Sequence, residues 1–189
     1  MVLSISLTTS ALRCQSFTAL TSDPSGPGST KSTIIVVPPE AAAAVPRIVE
    51  RLAMMGVNVP ILVGATQVLL FRFDPVAVLQ AIDRYKVTHW YSIAPMNVAS
   101  MQVQGAERYD LKSLQRNPVT SFGITFTEAL AQQWQAFTQG PCLSYEAAYG
   151  LSETHTMDTG MPHDAIRWGT HGRPMPGVTI RIVDAETGA

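Results

Sequence analysis

From residue 60 onward, short apolar runs alternate along the chain with stretches whose apolar residues recur at helical spacing. The runs at residues 88–94, 119–124 and 142–149 are typical of strands. Such an alternation favours parallel pairing, because each crossover between parallel strands leaves room for a helix. The pattern therefore predicts an α/β fold, a mostly parallel sheet flanked by helices.

Two helices are marked by their first residues and by an apolar stripe. In the first, Asp74 is a suitable cap and Pro75 fits the first turn, and the helix is predicted to end near Tyr85. The second is predicted to begin with Thr125 and Glu128 at capping-box spacing. The residues of the two stripes are predicted to pack in the core, and they are Val78, Leu79 and Ile82, then Leu130, Trp134 and Phe137.

Two further segments have apolar character without helical spacing. Residues 63–70 predict a turn into a buried strand, and residues 179–184 alternate like an edge hairpin that stops at its turn. Residues 52–71 carry no charge, and about twenty such residues can cross a bilayer. Glycine, proline and polar residues interrupt this stretch, so no transmembrane segment is predicted.

Residues 1–51 differ in character from the remainder of the chain. Serine and threonine dominate, breakers cluster between Pro24 and Gly28, and no sustained period emerges. A secretory signal is not predicted, because no basic residue precedes Arg13 and polar residues break the apolar positions. The sequence therefore predicts an irregular segment over 1–51 and a domain over 52–189.

Composition and charge narrow the classes of protein. A hydrophobic fraction of 46% with 14% charged residues is typical of a globular chain. Thirteen Lys plus Arg against fourteen Asp plus Glu give a net charge of -1, which argues against nucleic acid as a partner. Cys14 and Cys142 form no CxxC pair, which disfavours a zinc site or a disulfide framework and predicts a reducing, cytoplasmic location.

The segment from Tyr149 to Thr154 carries the candidate chemistry. The ring of Tyr149 can stack on a base, Gly150 lets backbone approach closely, and Ser152 can donate to a phosphate oxygen. The carboxylate of Glu153 can hold a hard cation such as magnesium. The alternative is structural: a strand end followed by polar residues, with Glu153 favoured in a first helical turn by the dipole.

Three other segments accompany this run. Residues 121–125 (Ser-Phe-Gly-Ile-Thr) lie between a predicted strand and a helix, and residues 87–96 lead from a strand into a helix that begins at Pro95. Residues 172–177 (Gly-Arg-Pro-Met-Pro-Gly) follow the Tyr149 run and precede the last strand. In order and spacing these segments, together with 73–75, resemble the AMP-forming acyl-coenzyme A synthetases of the adenylate-forming enzymes, over roughly residues 52–188.

The resemblance implies the large N-terminal domain of an enzyme that uses ATP, magnesium and coenzyme A. Its substrate would be a small-molecule carboxylate, a fatty acid in our interpretation, which is joined to AMP and then transferred to the thiol. It implies a magnesium ligand in Glu153, an α-phosphate contact in Ser152 and adenine packing by Tyr149. The remaining implied residues are Gly123, Ile124, Thr125 and Gly150 at the nucleotide, and Pro95, Met96 and Ala148 in the acyl pocket.

The sequence also departs from the family pattern. Around residues 21–31 an acidic Asp23 replaces a glycine of the phosphate loop, no proline precedes Lys31, and residues 47–51 replace an aromatic-histidine segment. The family's ribose-binding aspartate and C-terminal adenylation lysine would fall after Ala189. We therefore expect an internal fragment that is inactive alone. A displaced reading frame upstream would account for these departures, and the flanking DNA would reveal it.

Two alternatives remain open from the sequence. The first is a non-catalytic module that keeps a nucleotide pocket. The second is a metal-dependent hydrolase that uses His155, His163 and His171, which recur at equal intervals among acidic residues. No HExxH unit accompanies these histidines, so their spacing favours solvated loop residues. The oligomeric state and the acyl chain length are not specified by the sequence.

Overall fold

The computed structural model describes residues 2–7, 32–36, 59–62, 65–70, 72–154, 157–184 and 186–187. The strands in chain order are β1 (Val2–Leu7), β2 (Ser32–Val36), β3 (Thr66–Leu70), β4 (His89–Trp90), β5 (Ser92–Ile93), β6 (Arg116–Thr120), β7 (Leu143–Glu146), β8 (Thr159–Gly160), β9 (Arg173–Pro174) and β10 (Val178–Val183). The helices are α1 (Val59–Leu62), α2 (Pro75–Tyr85), α3 (Ala94–Met101) and α4 (Glu128–Thr138), with short 3-10 turns at Ala106–Arg108 and Ser152–Thr154.

The main sheet is parallel throughout the part that the structure describes. Its strand order is β3, β2, β4, β6, β5, and β7 pairs with β6. Strands β4 and β5 both lie along β6, with a break at Tyr91 between them. Helices α2, α3 and α4 each lie between strands in chain order. The predicted α/β fold with a mostly parallel sheet is confirmed.

Two antiparallel pairs lie outside this sheet. Strand β8 pairs with β9, and β10 pairs with β1. The sequence predicted a strand at 179–184 that was paired as a hairpin, whereas the structure pairs β10 with the distant β1. Asp184 ends this strand by accepting hydrogen bonds from the backbone of Glu186 and Thr187, each at 2.9 Å.

Strands β1 and β2 lie inside residues 1–51, where the sequence predicted an irregular segment. At these two places the chain is extended, and β2 joins the main sheet between β3 and β4. The other residues of this segment are outside the described part of the chain. The division into 1–51 and 52–189 therefore stays a prediction.

The two predicted helices are present, and one of them begins later than predicted. Helix α2 begins after Asp74, whose carboxylate accepts from the backbone of Ala77 at 3.0 Å. Helix α4 begins after Thr127, whose hydroxyl accepts from the backbone of Leu130 at 3.3 Å, so the predicted cap at Thr125 is wrong. Thr125 belongs to the loop that precedes the helix, because the buried Phe126 holds that loop against the core.

Strand limits also differ from the apolar runs in the sequence. The predicted strand 119–124 begins at Arg116 and ends at Thr120, because Gly123 has a φ of 71° and reverses the chain. The predicted strand 142–149 is limited to β7. Strand β3 is present but is not buried as predicted, since Leu69 is 60% exposed. In the described residues, no helix is long and apolar enough to cross a membrane.

A tryptophan pair lies at the centre of the main hydrophobic core. Trp90 on β4 and Trp134 on α4 are fully buried, with ring centroids 5.4 Å apart. The helix stripe residues Val78, Leu79 and Ile82 pack in the same cluster, as predicted. The main cluster therefore joins β4 to helices α2, α3 and α4.

A buried polar network crosses this core between β5, α3 and β6. Asn117 on β6 donates to the Trp90 carbonyl at 2.6 Å and to the Ser92 hydroxyl at 2.9 Å. Its side-chain oxygen accepts from Asn97 on α3 at 2.6 Å, and Ser92 donates to Asn97 at 2.6 Å. All three side chains are essentially inaccessible to solvent. The network fixes α3 against the sheet, since each polar atom depends on the others for its partner.

Candidate nucleotide site

The predicted nucleotide residues meet at one edge of the main sheet. Strands β6 and β7 are parallel neighbours, with Val119 opposite Glu146, so both strands end at the same edge. Residues 121–125 follow β6, and the run that contains Tyr149 follows β7. Ligands in open parallel sheets bind outside the carboxyl ends of strands, which is where these two segments lie.

The loop of residues 121–125 follows β6 at this edge and exposes two apolar side chains. Phe122 and Ile124 are 51% and 41% exposed, and they bridge each other across Gly123. Beside Gly123 there is open space, because no neighbouring atom lies within 4 Å of where a β-carbon would be. This side of the loop can therefore approach a flat ligand closely.

Tyr149 follows β7 at the same edge and is held through its backbone. Its amide donates to the Thr159 hydroxyl at 2.9 Å, and its carbonyl accepts from the amides of Asp158 and Thr159 at 2.9 and 3.0 Å. The ring is half-buried, and its centroid lies 6.0 Å from that of His171. Strand β8 thus fixes the main chain of Tyr149 and leaves part of its ring accessible.

Glu153 lies in the 3-10 turn that follows Tyr149, and its side chain is exposed. The turn is tied down at Thr154, whose hydroxyl donates to the fully buried Asp158 carboxylate at 2.6 Å. The Thr154 amide donates to the Leu151 carbonyl at 3.2 Å. This turn presents the solvent-accessible carboxylate of Glu153. Only the backbone of Ser152 is described, and Gly150 is buried in the preceding segment.

The Gly172 segment packs against β8, and β8 in turn holds the backbone of Tyr149. Gly172 has a φ of 87°, and a β-carbon there would lie 2.1 Å from the Gly160 carbonyl oxygen. The amide of Met175 donates to the Asp158 carbonyl at 2.9 Å. The two sequence motifs that carry the resemblance are therefore in contact through β8 and β9.

The three predicted acyl-pocket residues lie in different surroundings. Met96 belongs to the main core cluster, whereas Ala148 packs with Tyr91 and Ala147 in a separate cluster. Pro95 is half-buried in the first turn of α3. Pro95 and Met96 lie on α3 and Ala148 follows β7, and the structure does not gather them in one cluster, so their role in an acyl pocket stays a prediction.

The predicted metal cluster is not assembled by the part of the chain that the structure describes. His155 lies outside the described residues. Among those described, no group of three or more His, Cys, Asp or Glu side chains is placed to hold a metal ion. His171 instead has its Nδ1 atom 3.7 Å from a Glu146 carboxylate oxygen.

Glu146 and Thr159 are site residues that sequence reasoning missed. Glu146 ends β7 with a buried carboxylate that accepts from the Ser121 amide at 3.1 Å and from the Ser121 hydroxyl. Its signal in the sequence was a charge inside an otherwise buried strand pattern. Thr159 had no such signal, because its contacts are to backbone atoms that come together only in the fold.

The thiol of Cys142 is buried and unreactive in the folded chain. Burial raises the pKa of this thiol to about 11 from an ordinary value of 9.0. The nucleophilic thiolate is therefore scarce at neutral pH. The stabilisation from this shift is fully present below pH 9.0 and is lost as the pH rises through about 11.

We expect iodoacetamide at pH 8 to leave Cys142 unlabelled in a folded Cys14→Ser chain and to label it after unfolding in urea, as measured by mass spectrometry. The physical reason is that the thiol is only 1% exposed and remains protonated. Labelling of the folded chain at the rate of a free thiol would contradict this description of the core.

Comparisons with known proteins agree with the fold. The family profile described as AMP-binding enzyme matches residues 35–189. The chain is 32% identical over 127 residues to 4-coumarate--CoA ligase-like 6 of Oryza sativa subsp. japonica, an alignment that covers 66% of this chain and 21% of that protein. It is 29% identical over 134 residues to benzoate--CoA ligase of Thauera aromatica, with coverage of 69% and 24%.

Among solved structures, apo MatB from Rhodopseudomonas palustris matches with a TM-score of 0.62 at 22% identity, over 84% of this chain and 28% of that chain. This likeness shows that the chain shares an α/β fold with that structure. The chain belongs to the AMP-binding enzyme family. It spans roughly a fifth to a quarter of the length of these curated relatives.

Proposed function

We propose that this chain supplies the nucleotide-binding part of an acyl-coenzyme A synthetase, which adenylates a carboxylic acid and passes the acyl group to coenzyme A. The observation that carries the proposal is the meeting of residues 121–125 and Tyr149 at the carboxyl edge of β6 and β7. Membership in the AMP-binding family supports AMP as the nucleotide product. The names of the ligase relatives support the thioester chemistry.

In this proposal the adenine lies between the two walls of the cleft. Tyr149 packs on one face of the base, and the backbone of Gly123, Ile124 and Thr125 borders the other. The open space beside Gly123 supports a flat ligand there. Gly150 lets the chain pass close to the nucleotide, and the hydroxyl of Ser152 contacts the α-phosphate.

The donor set at this edge fits magnesium that is bound together with a nucleotide. Glu153 offers one exposed carboxylate beside the cleft. Magnesium is commonly held by one or two carboxylates with the remaining positions filled by phosphate oxygens and water. Glu153 would hold this ion, which neutralises phosphate charge as the carboxylate approaches.

The proposed reaction has two steps, adenylation of the carboxylate and then transfer of the acyl group to the thiol. A carboxylate oxygen attacks the α-phosphorus of ATP, the bond to the β-phosphate oxygen breaks, and pyrophosphate leaves with its electron pair. The thiol of coenzyme A then attacks the acyl carbon, and AMP leaves while the thiol proton passes to solvent. Fixed donors and a closely held cation are needed in the first step because two anions must meet.

A fatty acid is the substrate class that we propose, and aromatic acids are the alternative that the relatives' names support.

The compartment that we propose for this protein is the cytoplasm. The two cysteines, Cys14 and Cys142, form no CxxC pair and so give no sign of a disulfide framework, which supports that location.

Binding of acyl-adenylate mimics tests this function in the chain alone. A ligase site holds both the nucleotide and the acyl group, so a decanoyl sulfamoyl adenosine is expected to bind at least about tenfold more tightly than AMP. Comparison with the benzoyl analogue distinguishes the two acid classes. Equal affinity for AMP and both analogues would instead support a non-catalytic nucleotide module.

A further inference from the structure

Glu146 is an unusual residue for its place in the fold. It ends β7, a strand of the parallel sheet, and its side chain is only 8% exposed. Buried positions on such strands are generally apolar, and a carboxylate without partners is costly there. The burial of this charge therefore depends on the groups that face it.

The first partner of Glu146 is the loop that forms one wall of the proposed cleft. One carboxylate oxygen accepts from the Ser121 amide at 3.1 Å, and the other accepts from the Ser121 hydroxyl. The Ser121 hydroxyl also accepts from the Phe126 amide at 2.8 Å. Glu146 and Ser121 thus hold both ends of the segment that contains Gly123.

The second group near Glu146 is His171, which is connected to Tyr149. The carboxylate lies 3.7 Å from Nδ1 of His171, whose ring is tilted by 45° against the ring of Tyr149, with centroids 6.0 Å apart. The His171 carbonyl accepts from the Thr159 hydroxyl at 2.5 Å, and that hydroxyl accepts from the Tyr149 amide at 2.9 Å. The neighbouring rings and the hydrogen bonds through the Thr159 hydroxyl both connect His171 to Tyr149.

We propose that Glu146 is a positioning residue that sets the separation between the two walls of the base-binding cleft. The inference rests on the proposed function, because that function makes residues 121–125 and Tyr149 the walls. Glu146 acts through Ser121 and His171 and does not itself touch the nucleotide. A flat base is held best when both walls are fixed before it binds.

Nucleotide affinity in matched variants tests the proposal. In Glu146→Ala we expect AMP affinity to fall at least about tenfold while affinity for ribose 5-phosphate, which lacks the base, is unchanged. Glu146→Gln is expected to recover most of the AMP affinity, because its amide can accept from the Ser121 amide and donate to the Ser121 hydroxyl. Equal loss for both ligands in a folded Glu146→Ala chain would overturn the proposal.

Hydrogen exchange provides a measurement that does not need a ligand. Glu146→Ala is expected to speed exchange of the Ser121 and Phe126 amides at least about tenfold, while the α2 amides exchange as in the wild type. Unchanged exchange at both amides would overturn the positioning role. If the folded wild-type chain binds no AMP, the proposed function fails, and exchange alone then decides whether Glu146 holds the loop.

Discussion

Replacement of Gly172 by alanine is expected to cost more than about 3 kcal/mol of folding free energy. Gly172 has a φ of 87°, which alanine rarely adopts. A β-carbon would lie 2.1 Å from the Gly160 carbonyl oxygen and 2.6 Å from the Met161 amide nitrogen. These are backbone atoms of a neighbouring segment, so the chain must separate there. The separation would also displace Thr159, which holds Tyr149.

Gly169→Ala is the matched control for this substitution. Gly169 also has a positive φ, 76°, but no atom lies within 4 Å of its β-carbon position. Backbone strain alone is expected there, at about 1 kcal/mol. Urea unfolding followed by tryptophan fluorescence gives both values. Equal losses in the two variants would contradict the close packing of β8 against the Gly172 segment.

Asn117→Ala is expected to destabilise the chain by about 3 kcal/mol, because it removes the centre of the buried polar network. Asn97 loses the acceptor for its amide, and the Trp90 carbonyl loses a donor. Both side chains are fully buried in the wild type, away from bulk solvent. The substitution also leaves a cavity between α3 and the sheet.

Thermal and urea unfolding of the Asn117 variant measure this effect. Gln132→Ala, at an exposed position of α4, serves as the control and is expected to change stability by less than about 0.5 kcal/mol. The double variant Asn97→Ala/Asn117→Ala should lose less than the sum of the single variants, because the two side chains share a hydrogen bond. A strictly additive loss would contradict a connected network.

Local features of the fold were predictable from the sequence. Helix α2 was assigned correctly because the consecutive residues Asp74 and Pro75 mark its start. The parallel sheet followed from alternating strand and helix patterns. The cap of α4 was misplaced by two residues because Thr125 and Thr127 are both suitable capping residues, and only the position of the buried Phe126 decides between them.

Features that depend on distant contacts were not predictable in the same way. The pairing of β10 with β1 joins opposite ends of the chain, and no local pattern specifies it. Within the candidate site, the Tyr149 motif was found because its residue types have nucleotide chemistry. Glu146 was missed because its partners Ser121 and His171 approach it only after β6, β7 and β9 have assembled.

Calorimetric titration of AMP and of magnesium ATP into the purified chain is the decisive experiment for a nucleotide site at this edge of the sheet. Glu153→Ala is the test variant, and Glu128→Ala, another exposed glutamate, is the matched control. We expect the wild type and the control to bind both ligands, whereas Glu153→Ala retains AMP and loses the magnesium-dependent part of ATP affinity. A folded wild-type chain that binds neither ligand would contradict a nucleotide site at this edge of the sheet.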